Sequence, residues 1–434
     1  MALRRLATAV GGGVMVLAAC VAIDPDARLC AVGAAECSCT LGGSCDAGLE
    51  CRASICVDPN AVADSSSGTI DPGSSSSGAV ATTETGDPSV DPGSSGESSG
   101  GGGDQPNVVF VTSQLYAGAA LGGLDGADAL CQSVAESAAL TGTYRAWLSD
   151  AQTSASSRMG SARGWVRSDG KPFAVDLQQI IEGRAFYPPV TDEHGNPVPI
   201  PDYVWTGTGV DGNLLDVDGS LMCSGWTSDT GQGLMGTLGA GLGWWTAYAA
   251  SNCSFTAHLV CLGVDGDADV ALTPTAGRLA FVSSGYVGPS DGRDAADALC
   301  ASEAAAAGAD GSFLALMANT GESPGARMNA AGAPWVRADG VPIFLDGQVF
   351  GTTLAAPILY DAEGVPTPLA IAWAGAYGVD QIATDADNCS GWTATSGFAA
   401  MFSVIHAYWQ GWTIDGHSSA QECQSPYSVI CLEQ

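Results

Sequence analysis

Short apolar runs separated by long polar, glycine-rich stretches set the rhythm of this chain. Val108–Val111 and Leu279–Val282 are unbroken apolar tetrads, the pattern of short strands buried on both faces. Asp125 opens a helix predicted to run through Ala139, where Thr141-Gly142 ends it, and Asp294 and Gly308 bracket its equivalent. Trp165–Arg167, Asp169-Gly170 and Phe173–Val175 predict a hairpin, because Asp-Gly suits a tight turn with positive φ; the signal recurs at Asp339-Gly340. His258–Leu262 and Ser428–Leu432 predict two closing strands. Gly, Pro and Asp dominate what lies between, so long loops are expected.

These elements fall into two copies of one module. Phe110-Val111-Thr112-Ser113 recurs as Phe281-Val282-Ser283-Ser284, and Asp128-Ala129-Leu130-Cys131 as Asp297-Ala298-Leu299-Cys300. Trp165-Val166-Arg167 returns as Trp335-Val336-Arg337, and Cys223-Ser224-Gly225-Trp226-Thr227 as Cys389-Ser390-Gly391-Trp392-Thr393. Two long copies are too few for a solenoid, so the expectation is two compact domains, residues 107–263 and 278–434, joined by an acidic linker at 264–277.

The N-terminal segment has a different character. Arg4 and Arg5 precede an apolar stretch, Ala9 to Ala19, that is too short to span a bilayer and reads as an export signal over residues 1–20. Leu17-Ala18-Ala19-Cys20 resembles the bacterial lipobox, which implies lipidation of Cys20; the competing reading is an ordinary signal peptide with an incidental cysteine. Position 21 is Val rather than Asp, which in that family favours the outer membrane or cell surface of a Gram-negative bacterium. Residues 30–56 hold six cysteines and form a predicted disulfide knot, since so short a segment cannot bury a sufficient core. Residues 57–106 are Ser, Gly, Asp, Thr and Pro with little to collapse around, the composition of a disordered tether.

Cysteine parity supports export. Beyond Cys20 the fifteen cysteines divide into six, four and four, each even, as an oxidised chain requires. The net charge is −32, becoming −34 once Arg4 and Arg5 leave with the signal, and Lys171 is the only lysine. Residues 107–262 carry six basic against fourteen acidic side chains, and residues 278–434 four against sixteen. Such a surface repels nucleic acid, heparin-like polyanions and anionic headgroups, leaving neutral partners and divalent cations.

An early helix bearing a cysteine, long loops and three further cysteines ending in a strand resemble the C-type-lectin-like fold, and more closely the endostatin-like domain. The matching residues are Gly126-Ala127-Asp128 before Cys131, Leu140 through Ser149, Val204-Trp205-Thr206-Gly207, Cys223 through Thr227, Gly239 through Cys253, and Leu259 through Leu262. The second copy matches more weakly, at Gly311 through Ala315 and at Ala372-Trp373-Ala374-Gly375. The resemblance implies an α+β fold with tandem C-type-lectin-like, endostatin-like domains. Four cysteines allow three pairings, and the family's nested one would join Cys131 to Cys261 and Cys223 to Cys253, then Cys300 to Cys431 and Cys389 to Cys423. The family's heparan-binding arginine clusters, N-terminal zinc histidines and calcium-lectin tripeptides are missing from both copies.

Candidate chemistry is sparse. The serine elbow, His-Glu-x-x-His, Walker loop and Gly-x-Gly-x-x-Gly motifs are absent, and the four histidines have no duplicated partner. Calcium is the candidate cation: Asp211, Asp216 and Asp218 precede Cys223, as Asp380, Asp385 and Asp387 precede Cys389. The competing reading is an acidic, solvated loop. Trp244, Trp245 and Tyr248 cluster before Cys253, and Tyr408, Trp409 and Trp412 before Cys423. Exposed, they would stack on sugar rings or anchor a protein; buried, they would pack against the disulfides. The expectation is a non-catalytic surface lipoprotein that binds a polysaccharide or another surface protein, with avidity from duplication. A structural cell-envelope role is the alternative, and a hydrolase ranks third.

Overall fold

A computed structural model describes residues 105–215, 219–345, 348–367, 370–409 and 420–434, together with the strands Glu50–Arg52 and Ile55–Val57. Cys20, the rest of the Cys-rich segment and most of the 57–106 linker lie outside the described residues. The two short strands pair antiparallel with Cys51 opposite Cys56. They belong to a first unit, Met1–Thr83; the second, Glu84–Gln434, contains both repeats.

Each repeat is mixed α+β with small sheets. In the first, the central sheet has the order Tyr144–Ala146, Val260–Gly263, Asn107–Val111, Trp165–Arg167, Pro172–Ala174. The closing strand lies antiparallel between its two neighbours, while Asn107–Val111 runs parallel to Trp165–Arg167. The second copy repeats the order with Phe313–Ala315, Ile430–Glu433, Arg278–Val282 and Trp335–Val336. Its hairpin is reduced to an isolated bridge between Val336 and Pro342.

Both faces of the central sheet are covered, which is why its strands read as continuous apolar runs. Val109, Val111, Val260 and Leu262 enter one core with Trp147, Trp165 and Trp245. Phe110, Leu259 and Cys261 point the other way, toward Trp205, Trp226 and the helix residues Ala127, Cys131 and Ala135. The period of two repeats in the second copy, where Ala280, Val282, Ile430 and Leu432 oppose Phe281, Val429 and Cys431.

The helix spans Gly123–Ser137, and its counterpart Arg293–Ala306. Each begins slightly before the aspartate expected to cap it, and Gly122 and Gly292 hold the cap positions without a side-chain hydrogen bond. Asp125 and Asp294 instead sit in the first turn, where a carboxylate still favours the positive end of the helix. Among the described residues, no helix is long and apolar enough to cross a membrane.

Four disulfides staple the two copies. Cys131 joins Cys261 and Cys223 joins Cys253; Cys300 joins Cys431 and Cys389 joins Cys423, at Cα separations of 5.4–5.8 Å. This is the nested pairing that the resemblance implies. The Cys131–Cys261 bridge spans 130 residues of sequence, and in the chain-entropy account a loop of that length contributes about 5 kcal/mol.

A second, three-stranded sheet lies beside each central one. It comprises Ala249–Asn252, Gln232–Thr237 and Tyr203–Trp205 in the first copy, and Ile371–Trp373, Phe398–Ser403 and Ala420–Glu422 in the second. The loops that follow the middle strands join the copies. The Gly241 amide donates to the Ile405 carbonyl at 2.8 Å, and the Ala407 amide to the Gly239 carbonyl at 2.7 Å, on either side of an antiparallel bridge between Ala240 and His406. Counted from strands Gln232–Thr237 and Phe398–Ser403, Ala240 and His406 are each other's counterparts, so the junction has approximate two-fold symmetry.

Candidate binding site at the junction of the two copies

The residues duplicated with their whole context are structural. The indole N–H of Trp165 donates to the Gly263 carbonyl, and that of Trp335 to the Glu433 carbonyl. Trp226 donates likewise to Ser149 and Trp392 to Ala318. The Cys-Ser-Gly-Trp motif forms a left-handed turn, with φ between 47° and 68° in Cys223–Trp226 and repeated in Cys389–Trp392. Non-glycine residues cost about 1–2 kcal/mol each in that region; the disulfide and the buried indole hold them there. Arg158 grips both oxygens of Asp128 at 2.6 Å and donates to the Ala146 and Leu148 carbonyls, tying the helix to the sheet. Arg327 and Asp297 form the same pair in the second copy.

The six aromatic candidates divide by burial. Trp245 is 1% exposed, packed against Trp147 and Phe173, with its indole nitrogen unpartnered among the described residues. It is a core side chain and offers no free face. Tyr408 and Trp409 are also buried, at 6% and 3%, yet both line a cavity. Trp244 and Tyr248 are half-buried at the junction, and Trp412 lies outside the described residues. The sequence clusters therefore hold two populations, Trp245 in the core and Tyr408 with Trp409 at the cavity.

That cavity has a volume of about 220 Å³. The second copy supplies Tyr377, Tyr408, Trp409, Thr352, Thr353 and Asp380; Ile200 and Pro201 of the first copy close it. The indole of Trp409 is fixed by its bond to the Gly351 carbonyl at 2.8 Å and by tilted ring contacts with Phe344 and Phe402. Ile200 packs against both cores, so the wall it forms belongs to the junction. Burial, and then the Tyr248 phenol, push the Tyr408 pKa up, against the opposing effect of a hydrogen bond between its hydroxyl and Thr237 of the first copy; Tyr203 adds a smaller upward push. Three tyrosines from two copies thus converge beside the cavity.

They continue a run of rings across the first copy. Phe255, Tyr203, Tyr248 and Trp244 follow one another at centroid separations of 6.1, 6.1 and 5.8 Å. Trp244 then meets His406, and His406 meets Tyr408 at 4.7 Å. Phe255 is 41% exposed, Tyr203, Tyr248 and Trp244 are half-buried, and the run sinks into the protein at His406.

Among the described residues, no three His, Cys, Asp or Glu side chains gather as a metal site would require. Asp211 closes its own turn through the amide and side chain of Asn213. Asp385 accepts from Thr320, and Asp387 from the amide and hydroxyl of Thr384. Asp380 stands apart at the cavity, and Asp216 and Asp218 lie outside the described residues. In the second copy the three expected calcium ligands are therefore engaged separately: Asp387 within a turn, Asp385 with the distant Thr320 and Asp380 at the cavity.

The histidines differ in role. His258 is buried, bonded to the Thr112 carbonyl and Asp202, and His194 is exposed beside Glu193. His406 is 4% exposed; Ser403 meets its Nδ1 at 2.7 Å, its Nε2 has no partner among the described residues, and burial lowers its pKa to about 4. His417 lies outside the described residues. The chain matches no known protein-family model and no curated protein at a significant level.

Proposed function

We propose that the protein is a non-catalytic binding protein of a Gram-negative cell surface, lipid-anchored through Cys20, whose tandem endostatin-like, C-type-lectin-like modules hold a polysaccharide. The observation that carries this reading is the junction cavity. It combines the aromatic residues Tyr377, Tyr408 and Trp409 with Thr352 and Thr353, and its lining contains no cationic side chain. Rings stack on the apolar faces of sugars while a few fixed hydroxyls select orientation, the usual division of labour in a small-molecule pocket. At about 220 Å³ the space is below the roughly 300 Å³ at which drug-sized pockets begin, and suits one sugar ring. The helix-borne cysteine, the nested disulfides and the duplicated Cys-Ser-Gly-Trp turn support the lectin-like assignment.

A glycan array probed with the oxidised chain from residue 21 onward tests the reading. Binding to uncharged glycans, reduced by Tyr377→Ala, supports it. Silence across glycans and envelope extracts would favour the structural cell-envelope role, which draws on the burial of Trp245.

A further inference from the structure

We infer that the two modules build one composite site rather than two equivalent ones: an uncharged oligosaccharide lies along Phe255, Tyr203, Tyr248 and Trp244 of the first copy and sends its terminal residue into the Tyr377–Tyr408 cavity of the second. This rests on the reading of the cavity as a sugar site.

Three observations carry it. The ring run and the cavity adjoin: Trp244 meets His406 at 6.3 Å and His406 meets Tyr408, which lines the cavity, at 4.7 Å, while Pro201 of the cavity wall lies two residues before Tyr203. Ring separations near 6 Å along the run are comparable to the advance per residue of an extended sugar chain.

The site is also asymmetric although the junction is not. Counted from Trp205 and Trp373, Tyr203 corresponds to Ile371, and counted from Cys253 and Cys423, Phe255 corresponds to Ser425, so the second copy lacks two of the four rings of the run. Gly378-Val379-Asp380 repeats Gly209-Val210-Asp211, and Tyr377 is an extra residue ahead of that run in the second copy. The first copy therefore presents no tyrosine at the place where Tyr377 lines the cavity of the second. Its Val210 packs so closely on Gly243 that a Cβ on that glycine would stand 2.7 Å from the Val210 Cβ.

Charge selects the class of sugar. No lysine or arginine belongs to the run or the cavity lining, Asp380 lines the cavity, and Asp202 adjoins Tyr203. Acidic polymers would meet repulsion with nothing to offset it.

The test is calorimetric titration of the oxidised chain from residue 21 onward with oligomers of β-1,4-linked glucose, xylose and N-acetylglucosamine, two to six residues long, and with oligogalacturonate. The expected result is one oligomer per chain for a neutral series, with affinity rising with length. Phe255→Ala and Tyr248→Ala should lose about tenfold for the longest oligomer and little for the shortest, whereas Tyr377→Ala weakens every length. Phe255 is exposed, so its variant tests the run without threatening the fold. Two oligomers per chain, or length-independent affinity untouched by Phe255→Ala, would overturn the composite site while leaving sugar binding standing. Equal binding of oligogalacturonate would overturn the selection by charge. Binding of no oligomer would overturn both this inference and the reading beneath it.

Discussion

Ala240 and His406 face each other in an antiparallel bridge, and each is the other's counterpart in the duplicated sequence. The flanking hydrogen bonds, Gly241 to Ile405 and Ala407 to Gly239, exchange roles across the same axis. A contact of this kind is what a symmetric dimer makes between identical patches, here made within one chain. The two modules therefore share backbone bonding as well as apolar packing.

One consequence is thermal coupling. Residues 107–434 should melt in a single calorimetric transition. Gly241→Pro deletes the donor to Ile405, and its side chain collides with Leu359, whose Cδ1 would lie 2.7 Å from any Cβ at that position. That variant should melt in two steps. Two separate transitions in the parent chain would contradict the coupling.

His406 gives the junction a pH dependence. Its pKa in the folded chain is lowered from 6.5 to about 4 by burial. Between those values the unfolded chain takes up a proton that the folded chain refuses, so stability is full above pH 6.5 and falls as pH drops toward 4. The loss is on the order of 3 kcal/mol. Melting curves of the parent and of His406→Gln, recorded from pH 7 to 4, should converge as pH falls; parallel curves would remove His406 as the cause.

Two glycines separate conformational strain from crowding. Gly225, in the left-handed turn, has φ 68° and open space around a would-be Cβ. Gly207 has φ 56°, but a Cβ there would lie 2.7 Å from the Trp226 ring and 2.8 Å from the Ser149 carbonyl that this ring's N–H binds. Gly225→Ala should cost roughly 1–2 kcal/mol. Gly207→Ala should cost roughly 3 kcal/mol or more, as overpacking is added to strain. Equal losses in urea denaturation would contradict this account of the turn.

Much of the scaffold was legible in the residues. Val108–Val111 read as a doubly buried strand because both faces of its sheet are covered, and Asp169-Gly170 read as a hairpin because Gly170 takes φ 84°. The helix start was misplaced because aspartate serves the first turn as well as the cap, and backbone glycines here hold the cap. The second sheet carries no such signal: Gln232–Thr237 contains two glycines and one methionine and lacks the alternation that marks a strand. Tyr408, Trp409 and Asp380 were each visible as candidates, but on separate arguments. That they meet at one cavity with Ile200 and Pro201 depends on a junction between copies, which no local pattern encodes.

The most direct test of the central claim is a nuclear magnetic resonance titration of the labelled chain with the tightest-binding neutral hexamer, following the indole N–H signals. The account predicts shifts at Trp244 and Trp409, on either side of the junction, with Trp165 and Trp335 unmoved in their bonds to Gly263 and Glu433. Shifts confined to one copy, or bound hexamer with both junction indoles unchanged, would contradict it.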